Sequence, residues 1–315
     1  MKDTERNTRH RSLRFARARD AGRRNLIAGM ALNIGLAAVK ILSGIVGRSQ
    51  ALIADGIESL ADIGGNLIAF GGIRIASQPA DHNHPYGHGK AEPLASVLIS
   101  FLLGGAVIVI AISSVRSLIH PQPLPAPWTL VVLALIFTTK EVLFRFTERR
   151  GTDAGSNVLV ADAWHHRCDA ITSFAAFIGI SLSLLFGWRF ADAAAAMIAA
   201  GIIAVNAHRI GRQALAELMD ESPEPALEAK ILDVAVGVPN VRGLDKCLVR
   251  KMGLEYYVEL HLLLDGSLTV HKGHEIAHEV KDAVQNQIAG VADVIVHVEP
   301  VIEKHPSENP APLPK

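Results

Sequence analysis

This sequence is short of several things, and each shortage excludes something. It has 2 cysteines in 315 residues, Cys168 in an apolar stretch and Cys247 in a polar one, too few for a disulfide framework. Neither charge is in excess, with 31 Lys and Arg against 31 Asp and Glu, so nothing points to nucleic acid as a partner. Beyond about Arg212 no apolar run is long enough to cross a bilayer, and that part reads as a soluble domain. No short apolar region with a cleavage site marks a signal peptide, and Asp3, Glu5 and Asp20 argue against a transit peptide.

What is abundant lies before Arg212. Half the residues are hydrophobic, yet mean hydropathy is only +0.28 because the polar residues gather at the ends. Six segments approach the ~20 residues a bilayer requires: 25–47, 51–76, 94–119, 127–146, 157–187 and 190–210. The arginine-rich start (1–24) and Arg145, Arg149 and Arg150 fall on one side of these spans. The other side offers little beyond Arg48, Arg116 and Arg189. The basic side is therefore the cytoplasmic one, an even number of spans puts both termini there, and a bacterial inner membrane is the expected location. The last residues, 302–315, are rich in Pro and polar side chains and read as a disordered tail.

Charges nonetheless sit inside these spans. Residues 54–62 read ADGIESLAD and 161–169 read ADAWHHRCD, both with the pattern A-D-x-x-(E or H)-x-x-x-D. An acid at mid-bilayer costs about 2.5–3.5 kcal/mol on insertion scales. At 100° per residue, Asp55, Glu58 and Asp62 form one helical stripe, and His165 and Asp169 repeat the Glu58–Asp62 spacing with Asp162 above them. Two such faces meeting in a bundle would bring three carboxylates and one imidazole together, a four-coordinate site for a divalent transition metal whose charge offsets that of the acids. The plainer alternative is that the acids line a wet cavity or pair with Arg167 and Lys140. His166 is expected to face another helix.

Two further clusters are polar. In SQPADHNHPYGHGKAEP, between the second and third spans, Asp81, His84 and His88 lie in a turn-rich loop broken by Pro85, Gly87 and Gly89, a weak metal signal on its own, and His82 reads as solvated. Downstream, the patterns predict a helix over 225–236, strands over 241–252 and 255–265, a helix over 271–288 and a strand over 292–299, in α-β-β-α-β order. Strand alternation puts Val258, Leu260 and Leu262 on one face and Tyr257, Glu259 and His261 on the other. It likewise sets Val294, Val296 and Val298 against Ile295, His297 and Glu299. His271, His274 and His278 share a helical stripe apart from Ile276, Val280 and Val284.

Residues 274–278, HEIAH, match the H-E-x-x-H zinc-protease pattern, and a membrane-anchored metalloprotease using His274, Glu275 and His278 is one alternative. A domain of this size has little room for a substrate cleft, and no third ligand follows on an obvious helix. A membrane-anchored metal sensor is another alternative. It predicts that Glu58, Asp62 and Asp169 can be replaced without functional loss.

From about Asn25 to Val301 the sequence resembles the cation diffusion facilitator family, on its six spans, its paired acidic motifs, the loop QPADHNHPYGHGKAE and the stretch DAWHHRCDA. The resemblance implies an all-α six-helix transmembrane domain (25–211) and a cytosolic α+β domain (212–301) of metallochaperone-like topology. It implies a homodimer in a lipid bilayer that exports divalent transition metal ions in exchange for protons, and no enzymatic activity. By position, Glu58, Asp62, His165 and Asp169 would form the transport site, and Asp81, His84 and His88 a loop site. A cytosolic site would draw on His261, His274, His297 and Glu299, with Asp245. Lys90 would pair with Asp220 in a charged interlock at the dimer interface. Two departures bear on selectivity: relatives usually have His or Asp where Glu58 stands, and zinc exporters have His at the position of Asp245. The oxygen-rich set leaves Zn²⁺, Fe²⁺, Mn²⁺, Co²⁺ and Cd²⁺ open as transported ions, with Zn²⁺ the expected structural or regulatory ligand.

Overall fold

The computed structural model describes residues 31–120, 123–153, 157–223, 225–253 and 255–301. The arginine-rich start and the tail lie outside the described residues, as do the side chains of Asp162, His165, His166 and Cys168. Six helices come first: α1 Ala31–Gly47, α2 Gln50–Ala76, α3 Ala91–Ile119, α4 Trp128–Asp153, α5 Asn157–Phe186 and α6 Ala191–Leu218. Then follow α7 Pro225–Val236, β1 Gly243–Met252, β2 Glu255–Leu264, α8 Val270–Gln287 and β3 Val291–Pro300. The chain divides into two compact units. One takes the chain up to Ala69 together with Leu98–Gly211, and the other takes Phe70–Val97 together with everything from Arg212. The tip of the α2–α3 hairpin therefore groups with the C-terminal elements.

The first unit is built for an apolar surround. By length and composition α3, α6 and the Asp169–Phe186 part of α5 can cross a membrane. Phe101, Ile108, Val131, Leu135 and Ile198 each expose more than half their surface, as side chains facing lipid do. Inside, the contacts are between small residues: Ala54, Ala61, Ala106, Ala196, Ala200 and Ala207 pack with Leu103, Ile110 and Ile203, which lets backbones approach closely. α1 and α2 cross closely at Gly56, where an added Cβ would lie 2.5 Å from Ile41 Cγ1. α2 begins with a cap borrowed from another helix. The Asp192 carboxylate, on the first turn of α6, accepts from Ser49 Oγ (2.7 Å) and from the backbone N–H groups of Gln50 and Ala51.

In the C-terminal elements the sheet order is β1-β2-β3, antiparallel between β1 and β2 and parallel between β2 and β3. One face carries the core. Val258, Leu260, Leu262 and Leu264 of β2 and Val294 of β3 pack against Ile231 and Ala235 of α7 and Ile276, Val280 and Val284 of α8. α8 starts at Thr269, whose side chain accepts from the Lys272 N–H.

Cys247, on β1, is half-buried beside this core. Burial, with Glu228 adding to it, pushes its thiol up to about 11. At pH 8 only about one molecule in a thousand then carries the reactive thiolate. In a Cys168→Ser background, alkylation of Cys247 is expected to be slow at pH 8 and to accelerate about tenfold per pH unit until close to pH 11. A plateau near pH 9 would contradict the burial seen here.

Candidate functional site

The buried acids of the first unit do not all meet the same partner. Asp55, 4 % exposed, receives Lys40 Nζ on Oδ1 (2.8 Å) and Ser173 Oγ on Oδ2 (2.8 Å). Lys40 is fully buried and also reaches Ser59 Oγ (3.0 Å). The charge of Asp55 is thus balanced by a lysine of α1, and its two oxygens are engaged across α1, α2 and α5. One turn further along α2, Glu58 lies within electrostatic range of Asp55, Asp62, Asp169 and Lys40. Its Oε2 is buried and has no hydrogen-bond partner among the described residues. A carboxylate oxygen in that condition suits a cation ligand.

Asp62 and Asp169 line one small cavity of about 10 Å³, shared with Asn33, Leu36, Ser59, Ile63, Asn66 and Lys140. That is about one water-sized sphere. Asp169 Oδ2 accepts from Lys140 Nζ at 2.7 Å, so one of the pairings named as an alternative for the acids is present. Arg167, the other cation considered, lies over the Phe144 ring at 4.7 Å. Among the described residues, Glu58, Asp62 and Asp169 do not form a cluster with every ligand atom within 4.8 Å, as the two clusters below do. His165 stands one turn before Asp169 on α5, and its side chain lies outside the described residues.

The loop cluster is held by an Asx turn. Asp81 Oδ1 accepts the backbone N–H groups of His84 (2.7 Å) and Asn83 (2.8 Å), which hold its carboxyl below the usual range. Gly87, at φ +84°, turns the chain so that His88 comes back toward Asp81. His84 Nδ1 stands 3.4 Å from Asp81 Oδ1, and His88 Nε2 3.5 Å from Oδ2. His88 is mostly buried, and its Nδ1 has no hydrogen-bond partner among the described residues.

On the sheet, the parallel register pairs His261 of β2 with His297 of β3, and Glu299 follows two residues on along the same face. His261 Nδ1 is 2.7 Å from Glu299 Oε1, and the two imidazoles stand 4.9 Å apart. His261, His297 and Glu299 present their ligand atoms within 4.8 Å of one another. Asp245 is the extra residue of a bulge in β1, beside the Lys246–His261 pair, and is exposed. His274 stays apart from this cluster. It stacks edge-on with His278, ring centroids 4.5 Å apart, on the outer face of α8.

The HEIAH stretch lies on that exposed face. Lys272 Nζ donates to Glu275 at 2.8 Å and holds its carboxyl low, and His271 lies 3.3 Å from it. Glu275 is thus committed to a surface pair instead of to a water beside the two imidazoles.

Lys90 ends α6. Asp220 adopts φ +57°, and the bonds Asp220 N–H to Glu217 O and Glu221 N–H to Ala216 O form a Schellman turn. Lys90 Nζ then donates to Glu217 O and to Asp220 Oδ1, both at 2.6 Å, placing a cation on the helix C-terminus.

Lys40, Asn33, Ser59, Ser173 and Asp192 escaped the sequence reading. A lone Lys inside an apolar segment was a signal for Lys40, because such a charge needs an acid within reach. Asp192 gave none, since its role as a cap exists only in three dimensions.

Comparison with known proteins matches both parts of the chain. A family model described as "Cation efflux transmembrane domain" covers residues 26–219, and one described as "Cation efflux protein, cytoplasmic domain" covers 223–301. The manganese efflux system protein MneP of Bacillus subtilis is 31% identical over 288 residues, 90% of this chain and 97% of MneP. The cation-efflux pump FieF of Salmonella arizonae is 31% identical over 280 residues, 88% of this chain and 92% of FieF. The metal tolerance protein C1 of Arabidopsis thaliana is 32% identical, over 86% of this chain and 61% of that protein. Among solved structures, a MamM-CTD domain matches 24% of this chain and 94% of its own length at 29% identity, with a TM-score of 0.24. With the two family models matched in succession over residues 26–219 and 223–301, this chain belongs to the cation diffusion facilitator family.

Proposed function

We propose that this integral membrane protein is a proton-coupled antiporter that exports divalent transition metal ions from the cytoplasm. The observation that carries the reading is the small cavity lined by Asp62 of α2 and Asp169 of α5, with the Oε2 of Glu58, which has no hydrogen-bond partner among the described residues, within electrostatic range of both. The transport ligands are Glu58, Asp62, Asp169 and, by its position one turn before Asp169, His165. Each must be deprotonated to hold a metal, so metal and protons exclude one another at the site and exchange follows. The cavity holds about one small sphere, which suits a single partly or fully dehydrated ion.

Asp81, His84 and His88 form a second metal site in the loop. His261, His297 and Glu299 form a third on the sheet, where metal binding favours the homodimer and biases the membrane unit by its differential affinity for the two states. Asp245 and His274 are supporting ligands only if β1 and α8 rearrange. Both termini face the cytoplasm of a bacterial inner membrane. Three carboxylates beside one imidazole admit Mn²⁺, Fe²⁺, Co²⁺ and Cd²⁺ as well as Zn²⁺. Its likeness to a manganese efflux protein supports testing Mn²⁺ first.

The experiment is uptake of Mn²⁺, Zn²⁺, Fe²⁺, Co²⁺ and Cd²⁺ into proteoliposomes with and without a pH gradient. Gradient-stimulated uptake of at least one ion is expected. Uptake of none, with the protein folded and inserted, would remove the transport reading.

A further inference from the structure

Lys140 places an ammonium on a carboxylate that the transported ion also needs. Its side chain is 5 % exposed, its Nζ lies 2.7 Å from Asp169 Oδ2 and 3.0 Å from Asn33 Oδ1, and it lines the same cavity as Asp62 and Asp169. α4 supplies the lysine, α5 the acid and α1 the amide, so the ammonium is fixed to the bundle from three sides. A charge buried this deeply requires a counter-charge, and the same holds for Asp169.

We propose that Lys140 is a tethered cation that shares Asp169 with the transported metal ion and so sets how readily the ion leaves. The inference rests on the reading of Asp62 and Asp169 as transport ligands. Two cations drawing on one carboxylate weaken each other, because like charges a few ångströms apart in a partly desolvated site repel strongly. The metal therefore binds less tightly than its ligands alone would allow. When it departs, Asp169 keeps a positive partner and is not itself left as a bare carboxylate in the membrane interior. Asn33 Oδ1 keeps the ammonium in place in either case. Lys140 thus adjusts the metal's residence through Asp169 and is not itself a ligand.

The test is initial-rate uptake of Mn²⁺ and Zn²⁺ into proteoliposomes holding the full chain, comparing wild type with Lys140→Met, Lys140→Arg and Asp169→Asn. Lys140→Met is expected to lower KM and kcat together by about tenfold each, since the ion is held more tightly and released more slowly. Lys140→Arg retains the charge and is expected to stay within about twofold of wild type in both. If Lys140→Met fails to insert, Lys140→Gln removes the charge while keeping a hydrogen-bonding end, and the same comparison applies. A raised KM would make Lys140 an orienting group for Asp169, unchanged KM and kcat would make it a structural counter-ion, and either overturns the proposal. Full transport by Asp169→Asn would instead overturn the transport-site reading, whatever the lysine variants do.

Discussion

Metal uptake by Asp62→Ala is expected to fall by more than about a hundredfold, beyond what loss of an outer hydrogen-bond partner of a metal ligand costs. Asp62 lies on α2 one turn from Glu58 and lines the same cavity as Asp169 on α5. Removing it deletes an anionic oxygen from a space that holds about one small sphere, and water filling that volume supplies no charge. Asp62→Asn is expected to lose nearly as much, because the amide keeps the shape but removes the charge and turns one acceptor oxygen into an NH2 donor, which cannot ligate a cation. Vesicle uptake with the best-transported ion measures both variants, and quantification of inserted protein separates lost transport from lost protein. Wild-type rates for either variant would remove Asp62 from the site.

The second large effect concerns stability. Asp55→Ala leaves Lys40, fully buried on α1, without its carboxylate partner. Breaking a buried pair on one side costs about 3–5 kcal/mol. Asp55→Ala and Lys40→Ala are each expected to lower the unfolding midpoint of the detergent-solubilised protein sharply. The double replacement Lys40→Met with Asp55→Leu removes both charges at similar volume and is expected to recover most of the loss. Ser173 then gives up its bond to Asp55, a smaller effect of about 1 kcal/mol. Equal damage from the single and double variants would mean that the segment does more than balance its own charge. A double variant that is stable yet inactive in uptake would show that the knot joining α1, α2 and α5 also positions Glu58.

Hydrophobic period carried most of the fold. The segment predicted over 51–76 lies in α2, Gln50–Ala76, and that over 157–187 matches α5, Asn157–Phe186, to within one residue, because runs of apolar residues of bilayer length leave few alternatives. Predicted and observed strand faces agree for Val258, Leu260 and Leu262, which are buried, and for His261 and Glu299, which meet across β2 and β3 on the other face. The partners of the acids were less legible. Spacing along a helix shows that Asp55, Glu58 and Asp62 share a stripe, but it cannot show that Lys40 reaches Asp55 through the close crossing at Gly56. Lys140 was visible as a partner in principle. Its choice of Asp169 depends on the packing of α4 against α5, and no local pattern encodes that. The grouping of Phe70–Val97 with the C-terminal elements is equally a product of tertiary contact, since the span 51–76 reads as continuous in sequence.

Coupling is tested most directly by measuring proton movement driven by metal alone. Proteoliposomes holding the full chain and a trapped pH indicator, with no initial pH gradient, are exposed to an inward gradient of Mn²⁺ or Zn²⁺. Metal entry accompanied by proton exit, a rise in internal pH, is predicted, and both fluxes should vanish together in Asp169→Ala. Metal entry at the wild-type rate with internal pH unchanged, or proton exit that persists in Asp169→Ala, would contradict exchange at the site shared by α2 and α5.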